Sequence, residues 1–159
     1  MDAKVTWKGK MTFSGTSDSG FELPLGTYPE LGGDNDGFRP MELLAIGLGG
    51  CTAMDVISIL QKKRQQITDF EVDIKAKRAS EHPKVFTQAR VTYVITGQAV
   101  DESAVVRAIE LSVTRYCPAT AMFSQVMPIE TAYTIYEAGE NGERQLVKSG
   151  TYNRNPDQD

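Results

Sequence analysis

The 159-residue sequence predicts one domain of mixed strands and helices built around a single long apolar helix. Three observations carry this reading. Alternating apolar and polar residues mark strands at the N-terminus and again in the middle of the chain, an apolar run of helical spacing that starts at Pro40 lies between them, and a second helical pattern follows. With 40% hydrophobic residues the chain has material for one core and no spare length for a second. The expected division is a single domain over residues 1–140 and a polar, flexible C-terminal tail over residues 141–159.

The opening "KVTWKGKMTFSG" alternates around Val5, Trp7, Met11 and Phe13, and "FELPLG" follows a "SDSG" turn, which predicts a short antiparallel meander. "GTYPELGGDNDGFRP" then mixes Gly, Pro, Asp and Asn, the composition of a long functional loop. It ends at Pro40, whose missing N–H costs nothing at a first helical position. From Pro40 to about Arg64 the spacing is helical, and this helix is expected at the centre. "DFEVDIKAKRA" and "VFTQARVTYVITG" predict two long strands, separated by the polar turn "SEHPK" with a solvated His82. "DESAVVRAIELSVTRYC" starts acidic and repeats Val105, Ile109 and Val113 on one face, so a second helix should run to Cys117–Pro118. "ATAMFSQVM" predicts a short third helix and "PIETAYTIYEA" a last strand. "SGTYNRNPDQD" has too little apolar surface to order itself unaided.

A formal charge of −4 with scattered cations gives no footprint for nucleic acid, and Lys62, Lys63 and Arg64 read as the solvated end of the central helix. No apolar run is read as reaching the roughly 20 residues of a membrane span, and "MDAKVTWKGK" has no signal-peptide apolar region. The expectation is a cytoplasmic protein with neither nucleic acid nor membrane as a partner. In a reducing compartment its two cysteines read as buried thiols or a redox pair. A single histidine and no CxxC leave zinc without an obvious ligand set, so no metal is expected.

Chemistry concentrates in "LLAIGLGGCTAMDV". Glycine in a helix interior costs roughly 0.5–1 kcal/mol relative to alanine, so Gly47, Gly49 and Gly50 imply close approach by a helix, a second chain or a substrate. At about 100° per residue Leu44, Gly47, Leu48, Cys51, Met54, Asp55 and Ser58 share a face. Asp55, one turn beyond Cys51, disfavours a thiolate unless a cation compensates. The plainer reading makes Cys51 a small buried hydrophobe. If Pro118 begins a helix, Cys117 is its N-cap, where the helix dipole favours a thiolate and Arg115 adds to the effect; the plainer reading is a buried thiol at an element boundary. Whether the two sulfurs meet is open from the residues alone.

"PMELLAIGLGGCTAMDV" and "RYCPATAM", separated by two strands and a helix, together resemble the two signature blocks of the OsmC/Ohr family of thiol-dependent peroxidases. The likeness extends to the strand near Glu137. It implies an α+β, OsmC-like fold with antiparallel sheets and a long central helix, intertwined as a homodimer with active sites at the interface. It also implies reduction of small organic hydroperoxides, with Cys51 oxidised to a sulfenic acid and Cys117 resolving it as a disulfide. An external thiol or dithiol reductant restores the pair, with no cofactor and no metal. Glu42 and Arg39 complete the expected site. Two positions depart from the better-characterised branches. Met41 follows Pro40 where a glutamate is usual, which places Glu42 about 180° around the helix from Cys51 by the 100° step. Residues 1–38 contain no arginine, so Arg39 is the first, at a cap position it fills poorly. It lies roughly 18 Å of helix from Cys51 at 1.5 Å per residue, a span that only a dimer interface or a folded-back loop closes. The alternative reading is a non-enzymatic, small-molecule-binding or redox-sensing dimer of the same fold.

Overall fold

A computed structural model describes residues 1–153. The chain divides into two compact units, Met1–Ala45 and Ile46–Asp159. In the first, β1 (Ala3–Gly9), β2 (Thr12–Ser17) and β3 (Glu22–Leu25) form an antiparallel sheet in the order β1-β2-β3, the meander expected from the alternation. The β1–β2 turn places Lys10 at φ 45 after Gly9 at φ 116, with a bulge between Trp7 and Gly9. Left-handed backbone suits glycine, and here one non-glycine residue shares the strain of a tight reversal.

The loop after β3 is closed rather than open. Gly26 N donates to Phe38 O at 3.0 Å and Phe38 N donates to Pro24 O at 3.0 Å, so both ends of the loop are fastened together. Gly37 is demanded by that approach, since a Cβ there would lie 2.6 Å from the Pro24 carbonyl carbon. From the β1–β2 hairpin, Lys10 forms an ion pair with Asp34 at 2.9 Å and Thr12 Oγ1 donates to Asp36 Oδ2 at 2.7 Å. This compact loop delivers the chain to α1 (Pro40–Lys62), with Pro40 at its start as the sequence predicts.

The second unit holds the rest of α1, then β4 (Gln66–Arg78), β5 (Phe86–Gln98), α2 (Glu102–Leu111), a π-helical turn (Ser112–Tyr116), α3 (Pro118–Phe123), β6 (Ile129–Ala138) and β7 (Arg144–Tyr152). Its sheet runs β4-β5-β6-β7. β4 and β5 are an antiparallel hairpin, but β5 and β6 run parallel, a departure from an all-antiparallel expectation. Parallel neighbours need a crossover of a dozen or more residues, and α2 and α3 supply it. Asp101 starts α2 by accepting from Ser103 N at 2.9 Å. Leu48, Val56 and Leu60 of α1 share one buried cluster with Tyr93 and Ile95 of β5, Val105 and Ile109 of α2 and Ile135 of β6. Alternation on the strands and helical spacing on the helices thus meet in a single core.

Three expectations need correction. The polar tail over residues 141–159 is a strand through most of its described length: β7 pairs antiparallel with β6 from Thr131↔Tyr152 to Ala138↔Arg144. Backbone pairing to the open edge of β6 holds it, a force that needs no apolar side chains, and nearly all of its side chains are exposed. Residues 154–159 lie outside the described residues. The glycines of α1 do not share one role, because a Cβ on Gly49 would stand 3.0 Å from Ile74 Cγ1 whereas Gly47 and Gly50 face open space. Finally, α1 is long and apolar enough by length and composition to match a membrane span, and only 28% of its most apolar window is buried within the chain. One side of that helix packs on the core just described, and on the other Ile46 and Met54 are exposed among the described residues.

Candidate functional site

The two cysteines arrive from different elements and meet. Cys51 sits midway along α1, partly exposed, while Cys117 ends the π-helical turn and is 3% exposed. A π turn inserts one residue per turn relative to an α-helix. Its closing bond, Cys117 N to Ser112 O at 2.9 Å, ends α2 and lets Cys117 take extended angles as the N-cap of α3. Pro118 follows as the first helical residue, as the sequence predicts. The cap is a thiol acceptor: Thr120 N donates to Cys117 Sγ at 3.3 Å and Thr120 Oγ1 at 3.2 Å.

That cap does not produce the acidic thiol expected at a helix N-terminus. Burial pushes the Cys117 thiol up, outweighing the two hydrogen bonds from Thr120 that pull it down, and contact with the Cys51 thiol adds to the rise. A helix of six residues has a small dipole, and removal of the sulfur from water dominates. Arg115 is not among the groups that shift this thiol, and its guanidinium carbon lies 5.7 Å from the centre of the Tyr116 ring. Both thiols are free.

Behind the pair lies a line of hydroxyls with no counterpart in the sequence reading. Thr52 is bonded to the Tyr93 hydroxyl, and its Oγ1 lies 2.9 Å from Ser112 Oγ. Ser112 Oγ in turn donates to Asp55 Oδ2 at 3.1 Å. Burial drives the Tyr93 phenol up to about 12, with Cys117 and Asp55 adding to the effect against the hydrogen bond with Thr52. Asp55 was expected to bear on Cys51 as a bare charge, and instead it anchors this line. Asp55 also borders a cavity of about 360 Å³ with Ser58, Ile59, Lys62, Leu111 and Tyr116. Met54, placed by helical spacing on the same face as Cys51, is 74% exposed. Individually Thr52, Tyr93 and Ser112 are unremarkable core-facing residues, and the only local signal is a threonine directly after the cysteine.

The other two expected site residues pair with each other, in the first unit. Arg39 Nη1 donates to Glu42 Oε1 at 2.7 Å, and Glu42 Oε2 accepts from Arg39 N at 3.0 Å. Glu42 thus reaches back three residues to the backbone N–H that precedes the helix, the acidic half of a capping box. This is how a poor cap residue is tolerated before Pro40. Arg39 Nη2 donates to Asn35 Oδ1 at 2.7 Å, and its guanidinium carbon lies 3.6 Å from the centre of the Tyr28 ring. The backbone hydrogen bond from Arg39, then its side-chain bond, hold the Glu42 carboxyl below its usual range. The structure therefore joins Cys51 to Cys117 and Arg39 to Glu42, as two pairs in two units of the chain. Among the described residues no group of three His, Cys, Asp or Glu side chains is placed to hold a metal.

A family model for the OsmC-like protein matches residues 33–132, which contain both pairs. The chain is 36% identical to protein YhfA of Escherichia coli K12 over 141 residues, covering 87% of this chain and all of that one. A crystal structure of a hypothetical protein from Aquifex aeolicus VF5 is similar at 29% identity with a TM-score of 0.76, over 87% of this chain and 97% of the other. The fold is also that of an organic hydroperoxide resistance protein from Elizabethkingia anophelis, at 18% identity and a TM-score of 0.60, over 84% and 92% of the two chains. The sequence blocks around both cysteines, the order of elements and these likenesses agree: the chain belongs to the OsmC-like protein family.

Proposed function

We propose that the protein is a cysteine-based peroxidase that reduces organic hydroperoxides. The observation that carries this reading is the contact between a partly exposed thiol, Cys51, and a buried thiol of raised pKa, Cys117. The exposed one is placed to meet a peroxide, and the buried one keeps its proton until a partner forms beside it. Cys51 as thiolate attacks the O–O bond, an alcohol leaves, and the sulfur is left as a sulfenic acid. Cys117 then attacks that sulfur, giving a Cys51–Cys117 disulfide and water, and an external dithiol returns both to thiols. The name carried by the Elizabethkingia anophelis structure supports the choice of substrate. Arg39 and Glu42 enter as the ion pair that starts the central helix, and direct action on the thiols is not assigned to them.

The working form is proposed to be a cytoplasmic homodimer. Ile46, Gly47, Gly50 and Met54 give α1 an apolar face of small and flexible residues that is exposed among the described residues, the kind of surface a second copy buries. The test is thiol titration before and after one equivalent of cumene hydroperoxide, with non-reducing peptide mapping. Loss of two thiols per chain and an intrachain Cys51–Cys117 peptide are expected. Peroxide left unconsumed with both thiols free would leave the protein a non-enzymatic binding or sensing member of the family.

A further inference from the structure

Cys117 Sγ accepts two hydrogen bonds from one residue, from Thr120 N at 3.3 Å and from Thr120 Oγ1 at 3.2 Å. The backbone bond is an ordinary helix cap, and a helix of six residues adds little field of its own. The hydroxyl bond is a second contact that capping does not require. Thr120 is 4% exposed and Cys117 3%, so bulk water is not at hand to solvate a charged sulfur. Neutral sulfur is a weak acceptor whereas a thiolate accepts as an ion, so both bonds strengthen only when charge appears on Cys117. An interaction that is weak in the ground state and strong in the charged state lowers a barrier, which is more than holding a shape. Charge appears on this sulfur in both directions of a disulfide cycle, and burial opposes it each time.

We propose that Thr120 is a catalytic residue that stabilises the Cys117 thiolate, making Cys117 the leaving group when a dithiol reductant attacks the disulfide at Cys51. The inference rests on the reading of Cys51 and Cys117 as a peroxidase pair. Exposure selects the sulfur that is attacked, since Cys51 is partly exposed and Cys117 is buried. One thiolate of the reductant gives an electron pair to Cys51 Sγ, an S–S bond forms between them, and the Cys51–Cys117 bond breaks. Cys117 Sγ leaves with the electron pair of that bond and is thereby reduced, and Thr120 N and Oγ1 hold its charge. The second thiolate of the reductant then attacks the reductant sulfur bound to Cys51, which closes the oxidised reductant and frees Cys51 as a thiolate. The reductant gives up two protons to solvent, and Cys51 and Cys117 take up two, so atoms and electrons balance. A leaving thiol of lower pKa departs faster, and the two bonds from Thr120 are the groups that pull this buried sulfur down. The same donors hold the charge on Cys117 when it attacks the Cys51 sulfenic acid in the forward direction.

The test uses the full chain with the disulfide closed by diamide, so that it does not depend on peroxide. Reduction by dithiothreitol is followed by rapid quench and non-reducing peptide mapping. Thr120→Val keeps the shape of the side chain and removes the hydroxyl, and reduction is expected to slow roughly tenfold or more, the scale of a hydrogen bond to a charged group. Thr120→Ser keeps the hydroxyl and should restore most of the rate. With a monothiol in place of the dithiol, the trapped mixed disulfide should lie on Cys51. A second arm reads the Cys117 thiolate by its ultraviolet absorbance. The titratable groups coupled to this sulfur are the Cys51 thiol on α1 and the Tyr93 phenol on β5, which stays neutral up to about 12, so the arm is run in Cys51→Ser. Adding Thr120→Val should raise the midpoint by about one pH unit, the same tenfold, where a packing role would leave it in place. Absence of a trapped sulfenic acid when wild type meets cumene hydroperoxide, with reduction of the diamide-closed disulfide still slowed in Thr120→Val, would discard the peroxidase reading and keep the role of Thr120. An unchanged reduction rate, an unmoved thiolate midpoint or a mixed disulfide on Cys117 would each overturn the proposal, and failure of diamide to close the pair would overturn both readings. If Thr120→Val fails to fold, Thr120→Ala takes its place in both arms.

Discussion

Thr52 and Ser112 are joined by a hydroxyl–hydroxyl hydrogen bond of 2.9 Å that ties the residue following Cys51 to the π-helical turn that delivers Cys117. The bond is buried at both ends, so its loss strands polar atoms rather than exposing them to water. Ser112→Ala removes the middle of the line and leaves Thr52 and Asp55 each one partner short. It is expected to lower unfolding free energy by about 1–3 kcal/mol, measured by urea denaturation. A change below about 0.5 kcal/mol would mean that the hydroxyl line carries no structural weight.

Much of this architecture was legible in the residues, and the exceptions have physical causes. Pro40 and the helical spacing after it marked α1, and Cys117–Pro118 marked the start of α3, because proline and periodicity act locally. β7 was hidden because its side chains are exposed and its stability comes from backbone pairing with β6, which leaves no trace in hydropathy. The cap formed by Glu42 on Arg39 was present as a glutamate at the third helical position, but a cap residue as unusual as arginine masked it. The line from Tyr93 to Asp55 joins residues up to 60 positions apart, and only the packing of α1 on β5 and the π turn brings them together.

The phenols offer an optical check on burial. Among six tyrosines, Tyr93 and Tyr133 are pushed up to about 12, Tyr93 by burial first and Tyr133 by its hydrogen bond to Glu102 at 2.6 Å. A folded pKa above the unfolded value of about 10 means that the associated stability is intact below pH 10 and is lost as pH rises toward 12. Alkaline titration of phenolate absorbance should therefore show two late tyrosines. Glu102→Gln should move one of them back toward the ordinary range and leave the other. If both move, Tyr93 is not held by its own burial.

The Arg39–Glu42 pair gives a prediction on the acid side. A carboxyl whose folded pKa lies below its usual 4.5 contributes stability that is present above that value and is lost as pH falls through the depressed one. Glu42→Ala should cost about 0.5–2 kcal/mol at neutral pH, the usual weight of a cap. Glu42→Gln keeps an acceptor for Arg39 N and should cost less, while removing the part of the acid loss that belongs to this residue. Urea midpoints at neutral pH and near pH 3 for the three proteins decide the matter. An unchanged acid dependence in Glu42→Gln would remove the carboxylate from the account.

The glycines of α1 offer a test of the proposed dimer that separates packing within the chain from packing against a second copy. Gly49 lies against Ile74, so Gly49→Ala brings a methyl to 3.0 Å from that side chain and should lower stability without altering association. A Cβ on Gly47 or Gly50 would meet nothing within 4 Å among the described residues, so in an isolated chain alanine at either should stabilise the helix by about 0.5–1 kcal/mol through backbone entropy alone. A second copy seated on the face with Ile46 and Met54 reverses that sign, because the added methyl then meets the partner. Gly50→Leu should go further and yield a folded chain that no longer associates, with circular dichroism unchanged and light scattering giving the monomer mass at micromolar concentration. Overpacking of that size costs about 1–3 kcal/mol per site, and a symmetric contact counts it twice. Gly50→Leu that associates as tightly as wild type, together with Gly47→Ala that only stabilises, would move the interface off this face of α1.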